Sequence, residues 1–314
     1  MKVLITGGAG FIGRWVVKEF LDNGHTTIVL DNLVNSTKEN IKEFELRKNF
    51  NFINGDILNK DLLKEIFNTG IDLCLHLAAL ISVQESIEKP QSYFETNVMG
   101  TMNLLENCRK HHTKFILVST CMVYDTSAVK AIGEEHAIRP ASPYAGSKAA
   151  AEYLALSYYH SYNLPVVILR PFNTYGPYQK SNLEGGVVCI FINNKLKGRK
   201  LDVFGDGTQT RDLLYVEDCS SFIYKAALSK KAVGQVINGG YGKDTSINDL
   251  AYKIAHDRSS IARVKHHHPQ AEIPKLLCDN SKAKRLLNWK PRISLDRGIK
   301  ITEEWIRLNN RNTQ

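Results

Sequence analysis

Short apolar runs alternate with helix-period segments along the first half of the chain. Val3–Thr6, Thr27–Leu30, Phe50–Asn54, Leu73–His76, Phe115–Ser119 and Val166–Arg170 read as strands. The stretches near 11–23, 38–48, 59–68, 91–110 and 141–163 read as helices. Strands alternating with helices predict βαβ units and a parallel sheet, and right-handed crossovers make that sheet doubly wound. After Arg170 the rhythm changes. Asn173-Thr174-Tyr175-Gly176-Pro177 is rich in turn formers, and Phe204-Gly205-Asp206-Gly207-Thr208 is another loop. A helix near 216–229 and a strand near 235–238 are placed to rejoin the main sheet. The expected fold is therefore α/β, a Rossmann-type doubly wound parallel sheet with a smaller C-terminal lobe. Residues 1–171 plus about 213–239 form the sheet domain, and about 172–212 plus 240–314 form the lobe.

The first strand runs into Gly7-Gly8-Ala9-Gly10-Phe11-Ile12-Gly13, which opens a helix. Glycine spacing of this kind permits a tight turn and close approach of a pyrophosphate, and the helix start offers free N–H groups to it. A turn without ligand is the bland alternative, but strand, turn and helix stand in the required order. Asp31 ends the second strand, with Asn32 beside it. An acid there accepts from the adenosine ribose and repels a 2′-phosphate, so NAD is expected rather than NADP. Asp56-Ile57 follows the third strand, where the aspartate could cap a helix or reach the adenine. His76-Leu77-Ala78-Ala79 ends the fourth strand with residues small enough to leave room for a cofactor, or simply to pack tightly.

Tyr144 and Lys148 lie four apart near the start of a long helical segment and share a face. A nearby ammonium group is expected to lower the phenol pKa, so that the pair can take a hydroxyl proton as hydride leaves. Taken alone, such a pair could be an exposed helix contact. Ser119-Thr120-Cys121 ends the fifth strand. Thr120 is placed to hydrogen-bond the reacting oxygen, and Ser119 to contact the cofactor.

Composition changes this picture little. The chain has 314 residues, 43% of them hydrophobic, and a formal charge of +9. No apolar run reaches membrane-span length. Met1-Lys2-Val3-Leu4-Ile5-Thr6 leads straight into the glycine turn without the pattern of a signal peptide, so a soluble cytoplasmic protein is the expectation. The basic residues are dispersed and no basic face pairs with stacking aromatics. That disfavours nucleic acid and suits an anionic small substrate. Six scattered cysteines lack disulfide or metal spacing. His266-His267-His268 reads as a surface loop, because three adjacent residues cannot all face one site.

These ordered motifs, together with Asn97, Arg170–Pro177 and Gly205–Tyr215, resemble the extended short-chain dehydrogenase/reductases that act on nucleotide-linked sugars, the epimerases and 4,6-dehydratases. The resemblance spans essentially the whole chain. It implies that Asn97 supports the active site, Lys148 holds the nicotinamide ribose, and Leu77, Ala78, Ala79 and Pro171 lie along the cofactor. On the substrate side it implies Ser82, Asn173, Val187, Val188, Phe204, Arg211 and Glu272. Arg211 offers a rigid fork suited to a diphosphate, with an internal salt bridge to Asp212 or Asp218 as the alternative. Near Glu272 the pattern departs: Pro269 stands where the family often has arginine, and His268 is adjacent. The resemblance favours uridine as the base without excluding thymidine. It also implies a homodimer built from the helices near 91–110 and 141–163, although the same faces could pack on the sheet.

A second departure bears on the reaction. The related 4,6-dehydratases carry Thr-Asp-Glu where this chain has Thr120-Cys121-Met122. A thioether is no base, so Met122 cannot remove the C5 proton. Cys121 could deliver a proton to C6 or take one from a neighbouring carbon. A sugar already holding a C5–C6 double bond needs only oxidation at C4 and one acid. The pattern is similar to the enzymes acting second in a two-step bacterial route to pseudaminic acid. That implies conversion of UDP-6-deoxy-5,6-ene-GlcNAc to UDP-4-keto-6-deoxy-L-AltNAc, with Tyr144 as base and Cys121 as proton donor. A C4 epimerase of UDP-sugars, with Cys121 and Met122 as pocket walls, stays open, as does an atypical dehydratase. A non-catalytic NAD-binding protein is disfavoured because Tyr144 and Lys148 are both present.

Overall fold

The computed structural model of the protein describes residues 1–125, 131–180, 186–265 and 273–311. Its strands are β1 (Lys2–Thr6), β2 (Thr26–Asp31), β3 (Phe50–Asn54), β4 (Leu73–His76), β5 (Lys114–Val118), β6 (Val166–Pro171), β7 (Asn173–Tyr175), β8 (Leu201–Phe204), β9 (Thr210–Tyr215), β10 (Val236–Gly239), β11 (Asp244–Ser246) and β12 (Ile261–Val264). Its helices are α1 (Phe11–Asp22), α2 (Lys60–Asn68), α3 (Val83–Glu88), α4 (Pro90–Phe94), α5 (Gly100–His111), α6 (Pro143–Tyr162), α7 (Val187–Leu196), α8 (Val216–Leu228), α9 (Ile247–Ala255), α10 (Ser281–Leu287) and α11 (Leu295–Arg311).

Seven strands form one parallel sheet in the order β10-β6-β5-β4-β1-β2-β3. Ile5 pairs with Val29 on one side and Leu75 on the other. Continuous apolar strands are what a parallel sheet covered on both faces requires. One face packs Val16, Val17 and Phe20 of α1 against Val3 and Val29. The other packs Leu104, Leu105 and Cys108 of α5 against Leu4 and Leu117. Strand order reverses between β1 and β4, and a ligand crevice is expected outside the strand ends at such a switch point.

The segment near 91–110 is not one helix. Pro90 starts α4, a wide π turn spans Glu95–Met99, and α5 follows. Such turns insert a residue and redirect side chains, frequently at functional sites. Near 38–48 the chain forms a 3₁₀ helix, Lys38–Phe44.

The smaller lobe joins the sheet β11-β9-β7 and the pair β12-β8 to α7, α9 and α11. The segment 240–314 does not stay within that lobe. Ala283 and Leu287 of α10, with Trp289, pack in the same core as Val3 and Val29. Among the described residues no helix is long and apolar enough to cross a membrane. All six cysteines are buried and none forms a disulfide.

Candidate active site

The glycine turn is a backbone fit. Gly7 adopts φ 71°, and a Cβ there would lie 2.6 Å from the Ala78 nitrogen. At Gly13 a Cβ would lie 2.1 Å from the Gly7 carbonyl oxygen, so both positions exclude side chains. At Gly10, the N-cap of α1, no side chain caps the first-turn amides. Phe11 and Ile12 follow directly, at the positive end of the helix dipole. Asp31 is 8% exposed; it accepts from the Ala9 amide at 3.0 Å, the Leu33 amide at 2.9 Å and the Ser36 hydroxyl at 2.9 Å. Its carboxylate thus braces the turn from the β2 end. Asp56 is not the cap of α2. It accepts from the Leu58 amide and from the side-chain amide of Asn32, while Asn59 caps the helix through Leu62 N. Ile57 is buried where Gly100 leaves room: a Cβ on Gly100 would lie 2.4 Å from its Cδ1.

Asn97 sits in the π turn, 2% exposed. Its Nδ2 donates to the Leu80 carbonyl at 3.0 Å and to Ser147 Oγ at 2.9 Å, and its Oδ1 accepts from Leu80 N at 2.9 Å. The 77–80 strand end is thereby locked to the helix that carries Tyr144 and Lys148. Ser147 was not singled out from the sequence; its place one residue before Lys148 was the available signal. A second buried chain joins Thr6, His76 and Thr101, whose hydroxyl donates to the Asn97 carbonyl. Burial and the nearby Lys148 push the His76 imidazole down to about 3, so it stays neutral.

Tyr144 and Lys148 are 9% and 4% exposed, on the buried side of α6. The expected lowering of the phenol is not found. Burial pushes Tyr144 up to about 12, offset only in part by a hydrogen bond from the Thr120 hydroxyl. The reason is where the ammonium goes: Lys148 Nζ donates to the Val118 carbonyl at 2.8 Å. Burial lowers Lys148 to about 8. Tyr93 meets the Tyr144 ring edge-on at 6.4 Å.

Thr120 is the N-cap of a short 3₁₀ turn, Cys121–Val123, and accepts from Met122 N at 3.2 Å. Cys121 is 2% exposed. Burial pushes its thiol up to about 12 despite the opposing field of the Arg211 guanidinium. The thiol is therefore protonated at neutral pH. Met122 packs against the same small apolar cluster as Cys121, Phe172 and Ile273.

Two buried polar atoms at the strand ends, Ser119 Oγ and Asn173 Oδ1, have no hydrogen-bond partner among the described residues. The glycine turn, with no room for a side chain at Gly7 or Gly13, suits the close approach of a dinucleotide. Pro171 is buried at the end of β6, next to Phe172. On the substrate side, Arg211 Nη1 donates to the carbonyls of Thr210 and Ile273, both at 2.8 Å. Asp212 is held by the amides of Tyr241, Gly242 and Cys278, and Asp218 by those of Arg292 and Ile293. Val187 and Val188 start α7, with Val188 buried in the lobe core, and Phe204 ends β8 at 36% exposure. Ser82 caps α3 through the Glu85 amide. Glu272, His266–His268 and Pro269 lie outside the described residues.

Residues 4–302 match the protein family described as GDP-mannose 4,6 dehydratase. The X-ray structure of Pal from Bacillus thuringiensis superimposes with a TM-score of 0.96 at 55% identity, covering 98% of this chain and 100% of that one. UDP-glucuronic acid 4-epimerase from Bacillus cereus, in complex with UDP-glucuronic acid and NAD, gives 0.90 at 35% identity over 98% and 100%. A UDP-glucose 4-epimerase of Mycolicibacterium smegmatis is 34% identical over 310 residues, 98% of this chain and 99% of its own. The chain belongs to this family and is an NAD-dependent nucleotide-sugar enzyme of the extended short-chain dehydrogenase/reductase type, among the epimerases and dehydratases.

Proposed function

We propose that the enzyme oxidises C4 of a UDP-linked N-acetylhexosamine and that its substrate is UDP-6-deoxy-5,6-ene-GlcNAc. The observation that carries this reading is the buried, protonated Cys121 thiol beside Tyr144, at the position of the dehydratase aspartate, with Met122 in place of the glutamate base. NAD, when bound, supplies a two-electron acceptor that can return the same hydride. The chain supplies the protons and the positions. The hydroxyls of Thr120 and Tyr144 hold the C4 oxygen, and Tyr144, in the phenolate form that the positive charges of Lys148 and bound NAD would favour, takes its proton as the C4 hydrogen leaves as hydride. Lys148, with its pKa lowered to about 8, still holds an ammonium at neutral pH to orient the nicotinamide ribose. The product is an unsaturated ketone.

Return of hydride at C6 and a proton at C5 then gives the 4-keto-6-deoxy sugar. The two hydrogens lost from C4 and O4 are balanced by the two gained, so the conversion is an isomerisation. Cys121 delivers the C5 proton, and the face it approaches from sets the L-altro configuration, opposite at C5 to that of GlcNAc. Its thiolate forms in the field of Arg211, and a buried charge needs such a counter-charge. Asn173 and Arg211 hold the diphosphate, Val187, Val188 and Phe204 flank the base, and Glu272 and Ser82 accept from ribose and sugar hydroxyls. The assembly proposed is a homodimer through the outer faces of α5 and α6, where Tyr153 and Tyr162 are 60% and 54% exposed.

The second reading is a UDP-sugar 4-epimerase, favoured by the names of two relatives. It needs Tyr144, Lys148 and NAD but no acid at Cys121. Purified enzyme given UDP-6-deoxy-5,6-ene-GlcNAc and, separately, UDP-GlcNAc distinguishes them by NMR of the products. The 4-keto-6-deoxy sugar from the ene substrate is expected, and Cys121→Ala should abolish it while leaving NAD binding intact. An enzyme that ignores the ene sugar and converts the unmodified hexose sinks the proposal.

A further inference from the structure

Arg14 follows Gly13 directly, one turn into α1, and is 2% exposed. A guanidinium at that depth needs every partner it can find. Its Nε donates to the Asn40 carbonyl at 2.9 Å and its Nη2 pairs with Glu43. Its flat face is covered by aromatic rings: Tyr178 at 3.8 Å, Trp15 at 4.8 Å and Phe44 at 5.4 Å from Cζ to ring centroid.

These partners come from separate parts of the molecule. Asn40 donates through Nδ2 to the Ala9 carbonyl at 2.8 Å, inside the glycine turn. Tyr178 lies just beyond β7 and stands at φ 70°, a backbone region that favours glycine. It stays there packed between Arg14 and Trp305 of α11, whose ring centroid is 4.8 Å away. Trp15 Nε1 donates to the Pro177 carbonyl at 3.3 Å. An unbroken column therefore runs from the glycine turn through Arg14 and Tyr178 to the last helix of the smaller lobe.

The segment between Tyr178 and Asn173 is stiff. Gly176, at φ 149°, has no space for a Cβ, which would lie 2.6 Å from Val216 Cγ1. Gln179 closes the loop by donating to the Thr174 carbonyl at 3.1 Å. Fixing Tyr178 consequently fixes Asn173, whose Oδ1 is buried with no hydrogen-bond partner among the described residues.

We infer that Arg14 and Tyr178 are positioning residues that hold the substrate-side segment 173–179 in register with the cofactor turn, and so set the affinity for the nucleoside diphosphate. The inference rests on the reading that Asn173 faces that diphosphate. Its test is calorimetric titration of NAD-loaded enzyme with UDP and, in parallel, dTDP. Tyr178→Leu should weaken diphosphate binding by about tenfold, the loss expected for a desolvated cation–π contact. NAD affinity should move much less. Tyr178→Phe, which keeps the ring but loses the hydroxyl's hydrogen bond to Arg14, should retain most of the wild-type binding. Arg14→Lys keeps the charge but loses the flat stacking face, and should show the same selective loss if Tyr178→Leu fails to fold. A folded Tyr178→Leu or Arg14→Lys enzyme with wild-type diphosphate affinity overturns the inference. Wild-type enzyme that binds NAD but neither diphosphate overturns the reading beneath it, so the two failures are distinguishable.

Discussion

Lys148 carries its amine into a site only 4% exposed, and that placement has a measurable cost. Burial lowers its pKa from 10.5 to about 8. Between those values the unfolded chain holds the proton and the folded chain does not. Stability therefore rises with pH across that window. Replacing the side chain with an uncharged one removes the effect. Relative to Lys148→Met, the NAD-free wild type should gain up to about 3 kcal/mol between neutral pH and about pH 10. Urea denaturation at the two pH values checks this, and a difference that stays flat contradicts the burial argument. Tyr144 shows what the sequence could not convey. The spacing of Tyr144 and Lys148 placed both on one face, but the pKa direction depends on depth and on which carbonyl the ammonium meets. Val118 supplies that carbonyl from a different strand.

At the scale of elements, the sheet was legible because buried parallel strands leave unbroken apolar runs. β1, β2, β5 and β6 fall within a residue of their expected spans at each end, and β3 and β4 coincide with theirs. The smaller lobe left no such trace. β7 and β11 have three residues each, too few for any period to register. The π turn at Glu95–Met99 was equally silent, since its residues suit a helix; only geometry reveals that it turns Asn97 inward. That turn has a testable role. Asn97→Ala would remove the Asn97 partner from both backbone groups of Leu80, while the Ser147 hydroxyl would keep its bond to the Tyr144 carbonyl. Buried groups stranded in this way cost about 1–3 kcal/mol. Chemical denaturation should show a loss in that range with NAD affinity reduced in parallel. An unchanged midpoint would mean that the 77–80 segment is held by something else.

At the scale of the whole molecule, the two lobes are interleaved rather than strung in sequence. Val236–Gly239 returns to the main sheet, and Leu287 and Trp289 enter its core from beyond the second lobe. The site lies where these excursions meet the strand ends: the glycine turn after β1, Thr120 after β5, Tyr144 on α6 and Arg211 on β9. NAD-dependent chemistry on a nucleotide sugar follows from that assembly. The fate of the C4 hydrogen is what separates the proposed isomerisation from simple epimerisation. Substrate carrying deuterium at C4 answers this directly, with NMR of the product of UDP-6-deoxy-5,6-ene-GlcNAc. The proposed reaction places that deuterium in the C6 methyl group and takes the C5 hydrogen from solvent. Deuterium recovered at C4 of an epimerised sugar would contradict it.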